Sequence, residues 1–330
     1  MMIRVAMASF WHVHARDYAK QVSEHPDTVL TAVWDEDAER GKREAERLGV
    51  PFYPTLEEML ADGSVDAVVV DAPTNLHRTV LTTVAEAKKH IFTEKVVTAT
   101  RADYDAVIEV VRANNVVLAV SLPRLYHGYT LTLQDVVRQG HLGTLTQVRT
   151  RLSHNGASAG WLPERFFNLE QCQGGALIDL GAHPMYLTRL FLGMPMRVSA
   201  HFGYVTGKPV EDNAVVVFEY ESGALGLVEA GFVTEASPFS VELHGTKGSA
   251  LYSDRDRAVW LKEAGSGADH RPEWTAVSIG PDQPTAYAQW VAHIQQGTRA
   301  EDNLNAARDL TRLMEAAYAS VTRKQPVVVQ

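Results

Sequence analysis

Between Ile3 and Leu122 the chain repeats one arrangement: a short apolar run, a turn, then a stretch with apolar residues at helical spacing. That repeat constrains the fold more than any other feature. A strand, a helix and a second strand in one sheet close as a right-handed crossover between parallel strands. The apolar runs are IRVAMAS (3–9), TVLTAVWD (28–35), VDAVVVDA (65–72), HIFTEK (90–95) and VVLAVSL (116–122). VDAVVVDA is nearly unbroken, as in a strand buried on both faces. The charged stretch EDAERGKREAERLG reads as a helix ended by Gly49. LEEMLAD, NLHRTVLTTVAEAKK and RADYDAVIEVVRAN read as further helices. Residues 1–122 are therefore expected to form a doubly wound α/β domain.

After residue 122 the period changes. A helix over about 129–139 leads into GTLTQVRTRLSH (143–154), which alternates as a half-solvated strand does. RVSAHFGYV, NAVVVFEYESGALGLVEAGFV, FSVELHGTKGSALYS and AVWLKEA continue the pattern, with a hairpin expected at Ser222–Gly223. This predicts a second domain over 123–330 with a large, mostly antiparallel sheet sheltered on one face. A last helix over 303–323 carries apolar residues at Leu304, Leu310, Leu313, Ala317 and Val321, a face suited to packing back on the first domain.

The charge balance narrows the partners. With 31 basic and 40 acidic residues the chain is too acidic for a general nucleic-acid binder. The single cysteine, Cys172, allows no internal disulfide, in keeping with a reducing compartment. No apolar run reaches the ~18 residues of a membrane span. A cytoplasmic location is the expectation. His12 and His14 are two apart, which on a helix faces them away from each other, and no metal site is expected.

Four places carry candidate chemistry. The first is the turn after the first strand, where a dinucleotide's diphosphate sits in α/β folds and where three glycines usually make the bend. Here no glycine lies between Met1 and Asp35; counted back from His14, the glycine places fall on Ala6, Ala8 and Trp11. Ser9, Phe10, Trp11 and His12 are the residues expected to face the diphosphate, with the Trp11 indole turned outward or along it. Asp35, ending the second strand, either accepts from the adenosine ribose hydroxyls or caps the following helix. Ala72, Pro73, Thr74, Asn75 and His77 follow the third long strand at the ligand edge, where capping is the competing reading. Glu94 and Lys95 end the next strand; they are either a surface ion pair or a lysine placed to act on a substrate oxygen. In GGALIDLGAHPMYLTRLFLG, Asp179 and His183 are four apart and on a helix share a face. They form either a proton-handling pair or a buried polar pair, and Gly174, Gly175 and Gly181 would admit a ligand close to the backbone.

These motifs, in this order, resemble the glucose–fructose oxidoreductase, inositol dehydrogenase and rhizopine-catabolism family (Gfo/Idh/MocA) almost end to end. The carriers are VDAVVVDAPTNLH, KKHIFTEK, GHLGTLTQVRTRLSH, GGALIDLGAH, EDNAVVVFEYESGALGLVEAGF and LHGTKGSAL. The resemblance implies a Rossmann domain followed by a large open-sheet domain, assembly as a homodimer or homotetramer, and NAD or NADP as cofactor; Asp35, which would repel a 2′-phosphate, favours NAD. It implies hydride transfer at a hydroxyl carbon of a sugar or polyol, with His183 as base, Lys95 polarising the oxygen and Asp179 orienting. It also places Arg124 on the floor of the substrate cleft; His127, His154, Trp161 and Arg165, a mixed aromatic and polar set that suits a sugar, are expected near it, with the Tyr186 phenol able to donate to a sugar hydroxyl.

Three departures stand out: the glycine-free turn, Val96 in place of the proline after the lysine, and Tyr186 where an acid usually follows the histidine. Cis bonds are essentially a proline phenomenon, so Val96 leads us to expect a differently aimed Lys95. The alternative function is a ligand-sensing or regulatory protein that uses the fold without turnover.

Overall fold

The structure is a computed structural model and describes residues 2–264 and 273–329. The chain divides into two compact units. The first runs to Leu122 and takes in Pro284–Thr311; the second comprises Pro123–Gln283 and continues from Arg312.

The opening segment alternates as its periodicity requires: β1 (Ile3–Ala8), α1 (Ala15–Glu24), β2 (Thr28–Trp34), α2 (Ala38–Leu48), α3 (Leu56–Ala61), β3 (Ala67–Val70), α4 (His77–Glu86), β4 (His90–Thr93), α5 (Arg101–Ala113) and β5 (Leu118–Val120). The five strands are parallel and ordered β2-β1-β3-β4-β5. The order reverses between β1 and β3, and ligands of such sheets bind beyond the strand ends at that switch point. Val5, Ala6, Met7, Ala8 and Val68 to Val70 are fully buried, which explains the unbroken apolar runs. The helix ends follow capping chemistry. Asp37 accepts from the Glu39 and Arg40 amides at α2, Thr55 and Thr100 cap α3 and α5, and Gly49 ends α2 at φ 69°. The cap of α2 is thus Asp37, and Asp35 is left for other work.

The second unit contains α6 (Gly128–Arg138), β6 (Leu145–Ser153), α7 (Leu169–Cys172), α8 (Ala182–Leu192), β7 (Arg197–Gly203), β8 (Asn213–Glu219), β9 (Leu225–Gly231), β10 (Ser240–Gly245), β11 (Gly248–Ser253), β12 (Ala258–Glu263) and β13 (Thr275–Val277). They are followed by α9 (Ala286–Gln296), α10 (Glu301–Arg323) and β14 (Val327–Val328). Its sheet has nine strands in the order β13-β12-β11-β10-β6-β9-β8-β7-β14. Every neighbouring pair is antiparallel except β6 and β9. The expected hairpin joins β8 to β9, with Gly223 at φ 83°.

One face of this sheet is covered and the other is polar or mixed. Ala214, Val216, Phe218, Val228, Val148 and Leu243 point inward. Arg149 pairs with Glu229 on the open face, beside the half-exposed Val215 and Leu225. α8 lies over β6 and β9. Thr150 and Thr188 share a 2.7 Å hydrogen bond beneath it, and a side chain on Gly226 would meet Thr188 at 2.7 Å. Glycine is needed there for the close approach of helix and sheet.

Pro284–Thr311 belongs with the first unit because its apolar side chains finish that core. Trp290 and Tyr287 are fully buried and ring-packed on Phe92. Asn303 donates to the Val120 carbonyl and accepts from the Val120 amide, at 2.9 and 2.8 Å, so it extends the β5 edge as another strand would. Asn303→Ala leaves both backbone groups unpaired in a buried setting. It is expected to lower unfolding free energy by ~1–3 kcal/mol, read as a shifted urea midpoint with an unchanged slope.

Candidate active site

The turn after β1 departs from the register counted along the sequence. Ala6 and Ala8 do not make the bend; both lie inside β1, paired with β2 on one side and β3 on the other. The bend falls at Ser9, whose φ of 78° lies in the left-handed region that glycine adopts most easily. Its hydroxyl offsets the strain by accepting from the Trp11 amide at 3.0 Å. Phe10 donates to Asp35 Oδ2 at 2.8 Å, and His12 to the Asp71 carbonyl at 3.1 Å. The turn amides therefore point into the protein. Trp11 is only 5% exposed, so its indole is not turned outward. His12 and His14 lie in this turn, before α1, with ring centroids 5.2 Å apart. The helical argument for separating them does not apply. Among the described residues no group of three or more His, Cys, Asp and Glu is placed to hold a metal.

At the end of β2 the Asp35 carboxylate is saturated. Oδ2 accepts from the Phe10 amide and Arg40 Nε; Oδ1 accepts from the Asp37 amide and Arg40 Nη2, all within 2.6–2.9 Å. Its side chain is wholly buried. The same guanidinium also reaches Glu36 at 2.5 Å. Asp35 is thus a structural hub, because its lone pairs are already used.

The loops after β3 and β4 are clipped together by His77. Its Nδ1 faces the Val96 and Val97 carbonyls at 2.9 and 3.1 Å, and its Nε2 faces the Ala72 carbonyl at 2.9 Å. The ring is 2% exposed, so His77 braces the loops instead of meeting a cofactor. Burial pushes its pKa down against the pull of those carbonyls. Pro73 precedes a short 3-10 turn at Thr74–Leu76, which leaves Asn75 exposed and Thr74 half-exposed at the edge.

Glu94 and Lys95 are buried, not a surface ion pair. The Lys95–Val96 peptide bond is cis without a proline. Glu94 accepts from the Lys95 amide at 2.8 Å and from the Tyr18 hydroxyl, and His12 lies 4.0 Å away. Burial opposes ionisation of Glu94, but the His12 and Lys95 charges outweigh it and hold the carboxyl below its usual range. Asp71, at the end of β3, is the opposite case. It is fully buried, neither carboxyl oxygen has a hydrogen-bond partner, and burial with the Glu94 charge pushes it well above the usual range.

In the second unit, Asp179 precedes α8 in a turn over residues 176–181, and His183 stands in the first turn of the helix. They are therefore not two positions on one helical face. His183 Nδ1 lies 2.9 Å from the Tyr186 hydroxyl, and that hydroxyl accepts from the Arg124 amide at 3.1 Å. Tyr186 is 1% exposed, so it supports His183 and does not line a substrate surface. The Arg124 guanidinium lies 3.9 Å over the Phe239 ring and donates to Tyr129 at 3.1 Å.

The three glycines before His183 approach protein, not ligand. Side chains on Gly174, Gly175 and Gly181 would meet Tyr318 Oη, the Glu211 carbonyl and the Leu177 carbonyl at 2.0, 2.1 and 2.5 Å. Buried Glu211 anchors the turn by accepting from the Gly175 and Leu177 amides and the Tyr318 hydroxyl.

His154 is stacked on Phe232 at 5.1 Å and tilted against Trp161 at 4.6 Å, and Trp161 is 54% exposed. Burial lowers the His154 pKa, and the Asp179 charge pulls the other way. Arg165 sits 5.9 Å over Phe166, and its carbonyl accepts from Cys172. Burial pushes that thiol up to about 12, so it is a packing residue.

A dinucleotide fits the first unit's edge on two observations. The α1 N-cap, His14, makes no side-chain capping bond, and the positive end of the helix lies after β1 at the switch point, where ligands of such sheets bind. Two carboxyls stand at the end of β2, where an adenosine ribose is recognised.

The comparisons agree with this geometry. Residues 4–122 match an oxidoreductase family with an NAD-binding Rossmann fold, and residues 130–251 match the GFO/IDH/MocA C-terminal domain. The chain belongs to that oxidoreductase family. It is 30% identical over 225 residues to a D-xylose 1-dehydrogenase (NADP(+)) of Haloferax volcanii, covering 67% of this chain and 66% of that one. It is 29% identical over 248 residues to a myo-inositol 2-dehydrogenase of Thermotoga maritima, covering 73% and 72%. A levoglucosan dehydrogenase solved with NADH and levoglucosan shares the fold, with a TM-score of 0.83 at 18% identity over the full length of both chains.

The residues that sequence reasoning missed are mostly acids and their partners: Glu36, Arg40, Asp71, Tyr18, Glu211 and Tyr318. The interruption of a buried strand run by Asp71 was a visible signal. Because its folded-state pKa is raised, Asp71 binds its proton more tightly folded than unfolded. Its contribution to stability is greatest below ~4 and is lost as pH rises through the folded value. Asp71→Asn removes that loss. The variant's melting temperature should gain on the wild type as pH goes from acid to pH 8; a constant difference between the two would show that folding does not shift the Asp71 pKa.

Proposed function

We propose that the chain is an NAD-dependent oxidoreductase acting at a hydroxyl carbon of a sugar, cyclitol or related polyol. The observation that carries the reading is the His183–Tyr186 pair. The Tyr186 phenol, 2.9 Å from Nδ1, fixes the ring of a histidine, the side-chain type suited to take a proton near neutral pH. Bound nicotinamide supplies hydride chemistry. In the mechanism that the family resemblance implies, His183 takes the hydroxyl proton, Lys95 polarises the hydroxyl oxygen and Asp179 orients them. Tyr186 fixes the ring of His183, and Trp161 with His154 offers an apolar wall to a sugar face. The xylose, inositol and levoglucosan named for the similar proteins support a polyhydroxylated substrate. NAD is favoured over NADP because Asp35, Glu36 and Arg40 sum to one negative charge where a 2′-phosphate would lie. The open face of the nine-stranded sheet, with Val215 and Leu225, is read as the surface of a homodimer or homotetramer, to be checked by sedimentation velocity.

Ligand sensing without turnover is the second reading. One observation favours it: the Phe10, Trp11 and His12 amides already have acceptors inside the protein.

A panel of sugars and polyols with NAD or NADP separates the two. Turnover by any member, lowered at least ~100-fold in Lys95→Ala and His183→Ala, supports the enzyme. Cofactor binding with no turnover supports the sensor, and no binding of NADH at millimolar concentration removes the dinucleotide altogether. Tyr186→Phe is expected to lower kcat by ~10-fold with KM nearly unchanged, since the phenol touches His183 and is hidden from solvent.

A further inference from the structure

We propose that Glu36, and not Asp35, is the acid that recognises the adenosine ribose and discriminates against a 2′-phosphate. The assignment rests on the dinucleotide reading above and goes beyond it by moving a binding role from one carboxylate to its neighbour.

A carboxylate offers about four acceptor positions. At Asp35 all four are taken, by the amides of Phe10 and Asp37 and by two nitrogens of Arg40. Its side chain has no exposed surface. A ribose hydroxyl could reach it only by displacing Arg40 from a buried bidentate pair, which leaves a charge uncompensated. The amide bonds from Phe10 and Asp37 cannot be released without undoing the turn after β1 and the entry to α2.

Glu36 is placed differently. It lies two residues past the end of β2, its side chain is 20% exposed, and it holds Arg40 at 2.5 Å through Oε1. The Ser9 hydroxyl acts on the same carboxyl, so Glu36 borders the turn at the switch point. Arg40, the Ser9 hydroxyl and the residue's own amide engage the carboxyl, which leaves one acceptor position for a ribose hydroxyl.

Arg40 is not a phosphate receptor in this arrangement. Its guanidinium is spent on three carboxylate oxygens and is 16% exposed. A 2′-phosphate would face the net negative Glu36–Asp35–Arg40 group.

The test uses probes without a nicotinamide, so that adenosine recognition is read apart from chemistry. ADP-ribose and its 2′-phosphate are titrated calorimetrically into the full chain, with NADH as reference. The wild type should bind ADP-ribose more tightly than the 2′-phosphate. Glu36→Gln should weaken ADP-ribose by ~10-fold, bring the two probes close to parity and leave the melting temperature unchanged; Glu36→Asp should fall between. If Glu36→Gln keeps both the affinity and the ratio of the wild type, the assignment is overturned while the dinucleotide reading stands. A wild type that binds neither probe nor NADH overturns both. Asp35→Asn is expected to act chiefly on the melting temperature. Loss of ADP-ribose binding in a fully folded Asp35→Asn protein, with Glu36→Gln unaffected, returns the role to Asp35.

Discussion

The hydrogen bond from the Phe10 amide to the Asp35 carboxylate governs the ligand edge of the first unit. A strand-to-helix turn without glycine cannot leave its amides facing outward at every position, and a buried amide without an acceptor costs as much as a lost hydrogen bond. The chain meets this with acceptors of its own: Ser9 Oγ for Trp11, the Asp71 carbonyl for His12, and Asp35 for Phe10. Once Asp35 is bound to the turn, Arg40 is drawn over it to balance the buried charge, and Arg40 in turn reaches Glu36. The turn composition and the charge arrangement at the end of β2 are therefore one solution to one problem.

The second unit uses the same device. Glu211 is buried, and burial pushes its carboxyl above the usual range, opposed by the Tyr318 hydroxyl and the Leu177 and Gly175 amides. These contacts hold the glycine-rich turn against β8's entry and Tyr318, and so set where Asp179 and His183 enter α8. In each unit an acid serves as a fixed post for backbone amides. The groups read as chemically active, His183 and Glu36, stand beside the post and not on it.

This division explains what could be read from the sequence. Periodicity marked β1 to β5 and most of the open sheet, because burial on one or two faces writes a period of two or an unbroken apolar run. It marked α10 within two residues at its start, but α9 went unremarked, since its apolar face at Tyr287, Trp290 and Val291 is short and mixed. Motif spacing brought forward Lys95, Asp179 and His183. It misplaced the bend at Ala6 and Ala8, because counting from His14 carries no information about where strand pairing stops. It also gave ligand roles to His77, Tyr186 and the glycines at 174, 175 and 181, whose partners are protein atoms. Residue identity reports what a side chain can bond; only the packing reports that the bond is already made.

The pair Asp71 and Glu94 shows how packing settles charge. Both are buried acids near one another, and each raises the cost of ionising the other. Burial alone would leave both neutral. Glu94 receives the Tyr18 hydroxyl and the Lys95 amide, with His12 close by; Asp71 receives nothing. Donors favour the charged form of the acid they reach, so the proton belongs on Asp71 and the negative charge on Glu94. The edge between β3 and β4 thus carries one negative charge where its composition allows two. That charge lies against the Lys95 amide and the His12 ring, among the groups that hold the loop.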